Sequence, residues 1–452
     1  MRGWIASSGQ GFLAPESSWT DPRGASRCYS SGVTEAPASP PRPASRRVLL
    51  LASASLLPGR GLLAPAPAQA QGRQPGTQRA APRTPAPAVP AGSPASTPLG
   101  PFDTLARQAL IVDSDTGAVL LEKNADELMP PSSMSKLMTM YVVFDLLKQG
   151  RLRPDQTFTV SERAWRMGGS KMFVELGSEI SLENLARGVI VQSGNDACIV
   201  LAEGIAGSEQ QFADMMNEAA ARIGLRHSHF RNATGWPDPE HRMTCRDLAI
   251  LARRIINDFP DHFRLYSERS FRWSDITQEN RNPLLGRVAG ADGMKTGHTE
   301  EAGYGLTGTA KRGERRLILV VNGLASMRAR QDESERLIEW GFREFDNVVL
   351  FRAADTVEEA PVYLGERPTV PLVGGRDLVI TLPRAWRNRL DVKVRYDAPI
   401  PAPVLRGQEV GRLEVGGPGV PPMVVPLIAG ADVARLGLLP RIPAVIGRWL
   451  GA

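Results

Sequence analysis

The sequence predicts an α/β domain followed by a small all-β domain. Between residues 102 and 350, two early strand patterns and three late ones enclose segments that carry apolar residues at helical intervals. After residue 350, short segments of alternating polar and apolar residues are separated by Gly and Pro, which is typical of an all-β domain. The two ends of the 452-residue chain differ in composition from both domains and are treated separately.

Composition divides the first hundred residues into three segments. Residues 1–45 are rich in Ser, Pro, Gly and Arg without periodicity, so we assign them no fold and expect translation to start downstream of Met1. Residues 46–70 predict a secretory signal peptide, since an arginine pair and an apolar run precede small residues that end at Ala70. The arginine pair leaves the twin-arginine route open. Residues 71–101 are Pro- and Ala-rich and predict a disordered linker.

In the α/β part, helices separate early strands from late ones, so we expect distant parts of the chain to complete one sheet. A Gly-containing turn joins two strands predicted at residues 108–112 and 118–122. Helical spacing is found in residues 133–147, 182–207, 209–223 and 245–257. Further strands are predicted at residues 292–297, 304–310 and 316–321, the last two joined by a turn.

The C-terminal part begins with the β-rich residues 351–430, where strands are predicted at 378–382, 391–395, 410–415 and 423–428. Residues 431–452 are predicted to form an amphipathic helix. One face would carry Ile442, Val445, Ile446, Trp449 and Leu450, with Arg441 and Arg448 opposite. Such a helix is too short to span a bilayer but suits the membrane surface, and packing on the β-rich domain is the alternative.

Charge and cysteine usage exclude some partners. The 54 Lys and Arg against 48 Asp and Glu give a net charge of +6, without a basic block interleaved with aromatic residues, so we expect no nucleic acid partner and an anionic envelope instead. The three cysteines match no zinc spacing, and Cys198 and Cys245 are expected to be buried free thiols rather than a disulfide. His227 and His229 lack a third ligand in a recognisable spacing, so a surface strand is expected there and no metal site.

The first chemical signal lies in residues 131–139, where small hydroxyl residues run into an apolar segment with one lysine. Residues three apart share a helix face, so Ser133 and Lys136 would point together, whereas Ser132 and Ser135 point elsewhere. A serine hydroxyl needs an adjacent base to become a nucleophile, and a buried lysine can serve because burial disfavours its charged form. These four residues alone also fit an ordinary helix start.

Two further motifs support a nucleophilic site. Ser193-Gly-Asn195 follows an apolar helix, and Lys295-Thr296-Gly297 lies on a predicted strand. Ser-x-x-Lys, Ser-x-Asn and Lys-Thr-Gly in this order resemble the penicillin-recognising serine acyl transferases. The flanking residues 185–198 and 293–304 resemble more narrowly the D-alanyl-D-alanine carboxypeptidases of the low-molecular-mass, type 5 penicillin-binding group, peptidase family S11. The resemblance runs from about Phe102 to the C-terminus.

The resemblance implies a penicillin-binding/β-lactamase-like transpeptidase domain at residues 102–350, followed by the small all-β domain. It implies a cofactor-free serine D,D-carboxypeptidase that removes the terminal D-Ala from peptidoglycan stem pentapeptides through an acyl-enzyme and is inhibited by β-lactam antibiotics. It also implies export to the periplasm and attachment to the outer face of the cytoplasmic membrane through the C-terminal helix. A D,D-endopeptidase, a weak β-lactamase and a non-catalytic peptidoglycan-binding protein remain alternatives. No Glu-x-x-x-Asn falls between Ser193 and Lys295, which disfavours an efficient β-lactamase.

The chemistry of this reaction assigns a role to each motif residue. Ser133 attacks the penultimate carbonyl, and Lys136, kept neutral by burial and by the charge of Lys295, takes its proton. Ser193 relays that proton to the leaving nitrogen, and Asn195 positions Lys136 and the substrate amide.

The remaining residues bind the substrate. The oxyanion would be held by the backbone N–H groups of Ser133 and His298. Gly297 lets the substrate approach as an added strand. The terminal carboxylate would be held by Lys295, Thr296 and, by the resemblance, Arg330. Residues 167–173 resemble a family loop beside the active site, without an assigned role here.

Overall fold

The computed structural model describes residues 93–417 and 420–438. The unassigned N-terminal residues, the predicted signal peptide, Cys28 and the tail from residue 439 onward lie outside the described residues. Among the described residues, no helix combines the length and apolar character needed to cross a membrane.

The first part of the described chain is a mixed α/β domain. Its helices and strands, in chain order, are β1 (Gln108–Asp113), β2 (Val119–Lys123), α1 (Lys136–Lys148), β3 (Thr157–Thr159), α2 (Glu162–Arg166), β4 (Glu179–Ser181), α3 (Leu182–Ile190), α4 (Asn195–Ala206), α5 (Glu209–Ile223), α6 (Cys245–Asp258), α7 (Pro260–Phe263), β5 (Ser270–Trp273), β6 (Ile276–Glu279), β7 (Ala291–Thr299), β8 (Gly303–Arg312), β9 (Arg315–Leu324) and α8 (Met327–Glu344).

A five-stranded antiparallel sheet organises this domain, with strand order β2-β1-β9-β8-β7. Strand β1 pairs with β9, which lies about two hundred residues later, so distant parts of the chain complete the sheet as predicted. Alternate residues of β9 enter different cores: Ile318 and Val320 pack with α1 and α6, whereas Leu319 packs with α8. Helices cover both faces, and this explains why the strand is almost continuously apolar.

Helix α1 lies inside the larger core. Ten of its thirteen residues are buried, including Lys136 at its start, so it has no polar face. The sequence predicted that the helix begins at Ser133, but residues Ser132–Ser135 form a 3-10 turn and the α-helix begins at Lys136. Side chains three apart are eclipsed in a 3-10 turn, so Ser133 and Lys136 still point the same way.

The predicted linker is too long by several residues. Ala95 is buried, and its backbone pairs with Phe102, while Ser96 pairs with Glu122 on β2. Residues 95–101 are therefore part of the fold, in contrast to the disordered segment expected up to residue 101. Composition missed this because the contact is made by backbone hydrogen bonds at a sheet edge, which small Ala and Ser side chains do not hinder.

The second part is β-rich, as predicted, and the fold class is confirmed. Its strands are β10 (Phe345–Phe351), β11 (Thr356–Tyr363), β12 (Thr369–Gly374), β13 (Leu378–Pro383), β14 (Asp391–Arg395), β15 (Ile400–Pro401), β16 (Glu409–Gly417) and β17 (Val420–Ala429). Six of them form a sheet in the order β14-β16-β17-β12-β11-β15, and β10 pairs with β13. Because β10 pairs inside this domain, the domain begins at Phe345 and not at residue 351.

The predicted C-terminal helix does not begin at residue 431. Val433 forms a β-bridge with Val404, and Arg435 forms one with Gly365, so this stretch is extended and bonded to the β-rich domain. The amphipathic face predicted at residues 442–450 lies outside the described residues. The prediction placed the start of the helix too early, because the spacing of apolar residues contains no information about backbone hydrogen bonds to a neighbouring segment.

The prediction for the two described cysteines is confirmed. Cys198 and Cys245 are buried free thiols, and burial raises the pKa of the Cys198 thiol to about 12. His227 and His229 are exposed, as expected of surface residues, but they do not form the predicted strand: His227 lies in a turn and His229 forms a single β-bridge with Arg242.

Candidate active site

The turn that carries Ser133 is held between two glycines. A Cβ atom on Gly297 of β7 would lie 2.9 Å from the carbonyl oxygen of Pro131, and one on Gly235 would lie only 1.9 Å from that of Ser132. Both positions therefore require glycine, and Gly235 also has a left-handed φ of +79°. The close packing fixes the turn while the Ser133 side chain stays partly accessible.

The three serines of this turn have different partners. Ser133 Oγ lies 2.8 Å from the Nζ of Lys136. Ser135 Oγ is instead bonded to Nε2 of the buried His241 at 2.9 Å, and Ser132 Oγ points to Thr299 Oγ1 at 3.4 Å. Of the three, Ser133 is the one whose hydroxyl meets an amine.

Lys136 donates all three of its ammonium protons. Besides Ser133, it bonds Asn195 Oδ1 at 2.7 Å and the carbonyl oxygen of Thr234 at 2.8 Å. The side chain is 1% exposed, and burial is the main cause that lowers its pKa from 10.5 to about 8. The positive charge of Arg281 lowers it further. A pKa near 8 makes the neutral amine accessible close to physiological pH, where it can accept a proton.

A second lysine and serine face this pair. Ser193 lies in the break between α3 and α4 with a left-handed φ of 59°, and its Oγ accepts a hydrogen bond from Lys295 Nζ at 2.9 Å. Lys295 is buried on β7, and burial, followed by the charge of Lys136, lowers its pKa well below 10.5. Two buried lysines thus each hold one serine hydroxyl, and the charge of Lys136 disfavours the charged form of Lys295.

Residues 167–173 are clamped against the start of α4. Asn195 Nδ2 donates to the carbonyl oxygen of Gly168 at 2.8 Å, and the Asn195 backbone N–H donates to that of Ser170. The buried carboxylate of Asp196 accepts backbone N–H groups from Met172, Phe173 and Val174. Asn195 therefore orients Lys136 with one atom of its amide and the loop with the other.

The expected carboxylate-binding residues lie along β7 and the start of α8. Thr296 and Gly297 are buried on β7, which is the edge strand of the sheet, and the exposed His298 ring stacks on Tyr304 with centroids 3.9 Å apart. Arg330 is 7% exposed, with its guanidinium 5.9 Å from the Tyr304 ring centroid.

An arginine at this position could equally cap a helix or pair at the surface, but Arg330 is buried and forms no salt bridge with any of the described residues. Within the described ranges, its Nε has no hydrogen-bond partner, and burial lowers its pKa to about 10. Its positive charge is felt by Lys295, whose pKa it lowers. A buried cation with an unpartnered N–H is suited to an anionic ligand, because its desolvation is otherwise uncompensated.

Sequence reasoning missed three contributors to the site. The Thr234 carbonyl contacts Lys136 across 98 residues of chain, and a backbone acceptor has no sequence signature. Arg281 adds a positive charge beside both lysines, but a single arginine is indistinguishable from other surface arginines in the sequence. Asp196 directly follows the Ser-x-Asn motif and could have been found as a buried polar residue at a helix start.

Comparisons with known proteins identify the family of the chain. Residues 94–326 match the family model described as D-alanyl-D-alanine carboxypeptidase, and residues 345–435 match the model of the penicillin-binding protein 5 C-terminal domain. The chain is 38% identical over 346 residues to D-alanyl-D-alanine carboxypeptidase DacA of Haemophilus influenzae, covering 75% of this chain and 85% of that protein. It is 34% identical over 318 residues to DacA of Escherichia coli K12, covering 68% of this chain and 78% of that protein.

Solved structures show the same similarity. The crystal structure of penicillin binding protein 5 from Haemophilus influenzae superposes with a TM-score of 0.68 at 36% identity, covering 74% of this chain and 99% of that one. The crystal structure of penicillin binding protein 6B from Escherichia coli superposes with a TM-score of 0.61 at 34% identity, covering 73% of this chain and 96% of that one.

Proposed function

The chain belongs to the D-alanyl-D-alanine carboxypeptidase family of penicillin-binding proteins, and from this premise we propose that it removes the terminal D-Ala of peptidoglycan stem pentapeptides through an acyl-enzyme on Ser133. It is a serine-type D-alanyl-D-alanine carboxypeptidase that acts on peptidoglycan. The single observation that carries the choice of nucleophile is the 2.8 Å contact of Ser133 Oγ with the buried Lys136 amine.

Acylation starts with the neutral form of Lys136. As Ser133 Oγ attacks the carbonyl carbon of the penultimate D-Ala, its proton passes to Lys136 Nζ, and the carbonyl oxygen becomes an oxyanion. The C–N bond then breaks, the leaving D-Ala takes a proton relayed through Ser193 Oγ, and an ester to Ser133 remains. The hydrogen bond from Lys295 to Ser193 supports this relay, because it holds the Ser193 hydroxyl in place within the site.

Recognition of the substrate uses the charges that line β7. Lys295, Thr296 and Arg330 bind the terminal carboxylate, and the unpartnered Nε of Arg330 supports its share of this role. The backbone N–H groups of Ser133 and His298 hold the oxyanion, and removal of one such donor typically costs about 3–4 kcal/mol of transition-state stabilisation. Water then hydrolyses the ester and frees Ser133.

Release of free D-Ala tests this function. Purified protein is incubated with diacetyl-L-Lys-D-Ala-D-Ala, and D-Ala is measured with a D-amino-acid oxidase assay. We expect release by the natural chain and by Ser135→Ala, and none by Ser133→Ala, because Ser135 Oγ bonds His241 and not Lys136. Covalent labelling by penicillin without release of D-Ala would favour a weak β-lactamase. Release of D-Ala from crosslinked dimers alone would favour an endopeptidase. Absence of both labelling and release would favour a non-catalytic peptidoglycan-binding protein.

We also propose that the protein is exported to the periplasm and lies on the outer face of the cytoplasmic membrane through the tail. The sequence pattern of residues 442–450 supports this, with five apolar residues on one helical face. A truncation after Leu438 leaves the bridge of Arg435 to Gly365 intact. It should move the protein from the membrane to the soluble fraction and preserve penicillin binding, and an unchanged distribution would contradict the attachment.

A further inference from the structure

Trp236 is a large aromatic residue that the fold leaves exposed beside the nucleophile. Its side chain is 47% exposed, although the preceding residues, Ala233, Thr234 and Gly235, are buried. The loop thereby presents a large, partly exposed apolar ring beside the reacting groups, where a ligand can cover it.

The backbone of Trp236 is held from both sides. Asn232 Oδ1 accepts the backbone N–H groups of Thr234, Gly235 and Trp236, and Asn232 Nδ2 donates to the carbonyl oxygen of Trp236 at 3.0 Å. Pro237 follows and restricts the conformations of Trp236. The backbone that carries the indole is therefore already ordered, so a ligand that covers the indole does not have to order the loop.

The same loop is bonded to α1, which carries Lys136, and to α5. The Ala233 carbonyl oxygen accepts a hydrogen bond from Thr139 on α1, and its N–H donates to Glu209 on α5. The next carbonyl, that of Thr234, accepts from Lys136, and Gly235 packs against Ser132. Trp236 is thus two residues from the acceptor that orients Lys136.

The indole packs on the loop that Asn195 clamps. Cβ atoms built on Gly168 and Gly169 would lie 3.6 and 3.1 Å from atoms of the six-membered ring of Trp236, while the Gly168 carbonyl oxygen bonds Asn195 Nδ2. Trp236 therefore belongs to the Asn195 side of the cleft. The strand β7 side carries the cations Lys295 and Arg330, which suit the terminal carboxylate.

We infer that Trp236 determines specificity by packing its exposed indole on the aliphatic side chain of the diamino acid that precedes D-Ala-D-Ala in the stem peptide. This inference rests on the proposed function. If the carboxylate lies against Lys295 and Arg330 and the scissile carbonyl lies at Ser133, the residue before D-Ala-D-Ala extends away from those cations and toward Asn195. The methylenes of a diamino acid side chain are long enough to lie along an indole face, where burial of apolar surface stabilises the complex.

Two peptides and four proteins test the inference. The peptides are diacetyl-L-Lys-D-Ala-D-Ala, which carries the aliphatic side chain, and acetyl-Gly-D-Ala-D-Ala, which lacks it. The proteins are the natural chain, Trp236→Ala, Trp236→Phe and the matched control Trp165→Ala, since Trp165 on α2 is also an exposed tryptophan. The rate of covalent labelling by 6-aminopenicillanic acid, which has no acyl side chain, reports whether Ser133 remains competent.

We expect Trp236→Ala to lower kcat/KM for the lysine peptide by about tenfold, the low end of the range for one methylene in a hydrophobic pocket, because the indole contact is partly open to solvent. The glycine peptide and the labelling rate should be unchanged, Trp236→Phe should recover most of the loss, and Trp165→Ala should behave like the natural chain. An equal decrease in kcat/KM for both peptides would mean that Trp236 only supports the loop. An unchanged kcat/KM for both peptides would mean that Trp236 does not contact the substrate.

Failure of the proposed function is distinguishable from failure of the inference. Absence of D-Ala release by the natural chain contradicts both. Release by the natural chain with no difference between the two peptides in Trp236→Ala contradicts the inference alone.

Discussion

Replacement of Gly235 by alanine should displace the nucleophile without any change to a motif residue. Gly235 has a φ of +79°, and its added Cβ would lie 1.9 Å from the carbonyl oxygen of Ser132. Cβ atoms essentially never lie within 3.0 Å of a heavy atom outside their own and the adjacent residues, so the Ser132 peptide must withdraw by about 1.1 Å. The nucleophile follows directly in the chain, so the movement reaches Ser133.

Gly235→Ala should affect both the stability of the protein and the rate of acylation. Alanine in a left-handed conformation costs roughly 1–2 kcal/mol of folding stability. Displacement of a reacting group by about 1 Å costs about 10²-fold in rate. We therefore expect Gly235→Ala to lose about 10²-fold in the rate constant of acylation by penicillin, with a decrease in the free energy of unfolding of a few kcal/mol.

A matched variant separates the conformational cost of alanine from the displacement of Ser133. Gly224 at the end of α5 has a φ of +84°, and no atom would lie within 4 Å of a Cβ added there, so Gly224→Ala carries only the conformational cost. Acylation rates of both variants are measured with a fluorescent penicillin, and stabilities by urea unfolding. An acylation rate of Gly235→Ala equal to that of Gly224→Ala would refute the claim that this contact positions Ser133.

Two pH dependences follow from buried groups. Burial lowers the pKa of Lys136 to about 8, so the acylation rate should rise with pH up to about 8 and then level off. The variant Lys136→Arg should lose acylation altogether. An acylation rate that does not change with pH would contradict a role of Lys136 as the base. Burial lowers the pKa of His241 from 6.5 to about 4, so the native state binds fewer protons than the unfolded state between these values. The free energy of unfolding should therefore fall by up to about 3 kcal/mol as the pH drops through this window, and less in His241→Gln.

The sequence was sufficient to predict the pairs that are close along the chain. Ser133 and Lys136 are three residues apart, and both an α-helix and the observed 3-10 turn bring such residues together. The strands around Lys295 were predictable because turns with Gly separate them. Contacts that join Lys136 to Asn195 and to Thr234 depend on the packing of α1 against distant segments, which periodicity does not specify.

The errors at the domain ends have a common physical reason. Ala95 and Val433 are each joined to the fold by backbone hydrogen bonds at a sheet edge or in a single bridge. Composition indicated a linker for the first and periodicity a helix for the second, because neither measure registers a partner strand. The β-rich domain was predicted better, since alternation and Gly or Pro breaks identify strands without reference to their partners.

Mass spectrometry of the penicillin adduct tests the central claim most directly. The protein is incubated with benzylpenicillin, digested and analysed for a peptide that carries the penicilloyl group. We predict one modified residue, Ser133, and no adduct in Ser133→Ala. Modification of Ser132, Ser135 or Ser193, or a full adduct in Ser133→Ala, would contradict the assignment of Ser133 as the nucleophile.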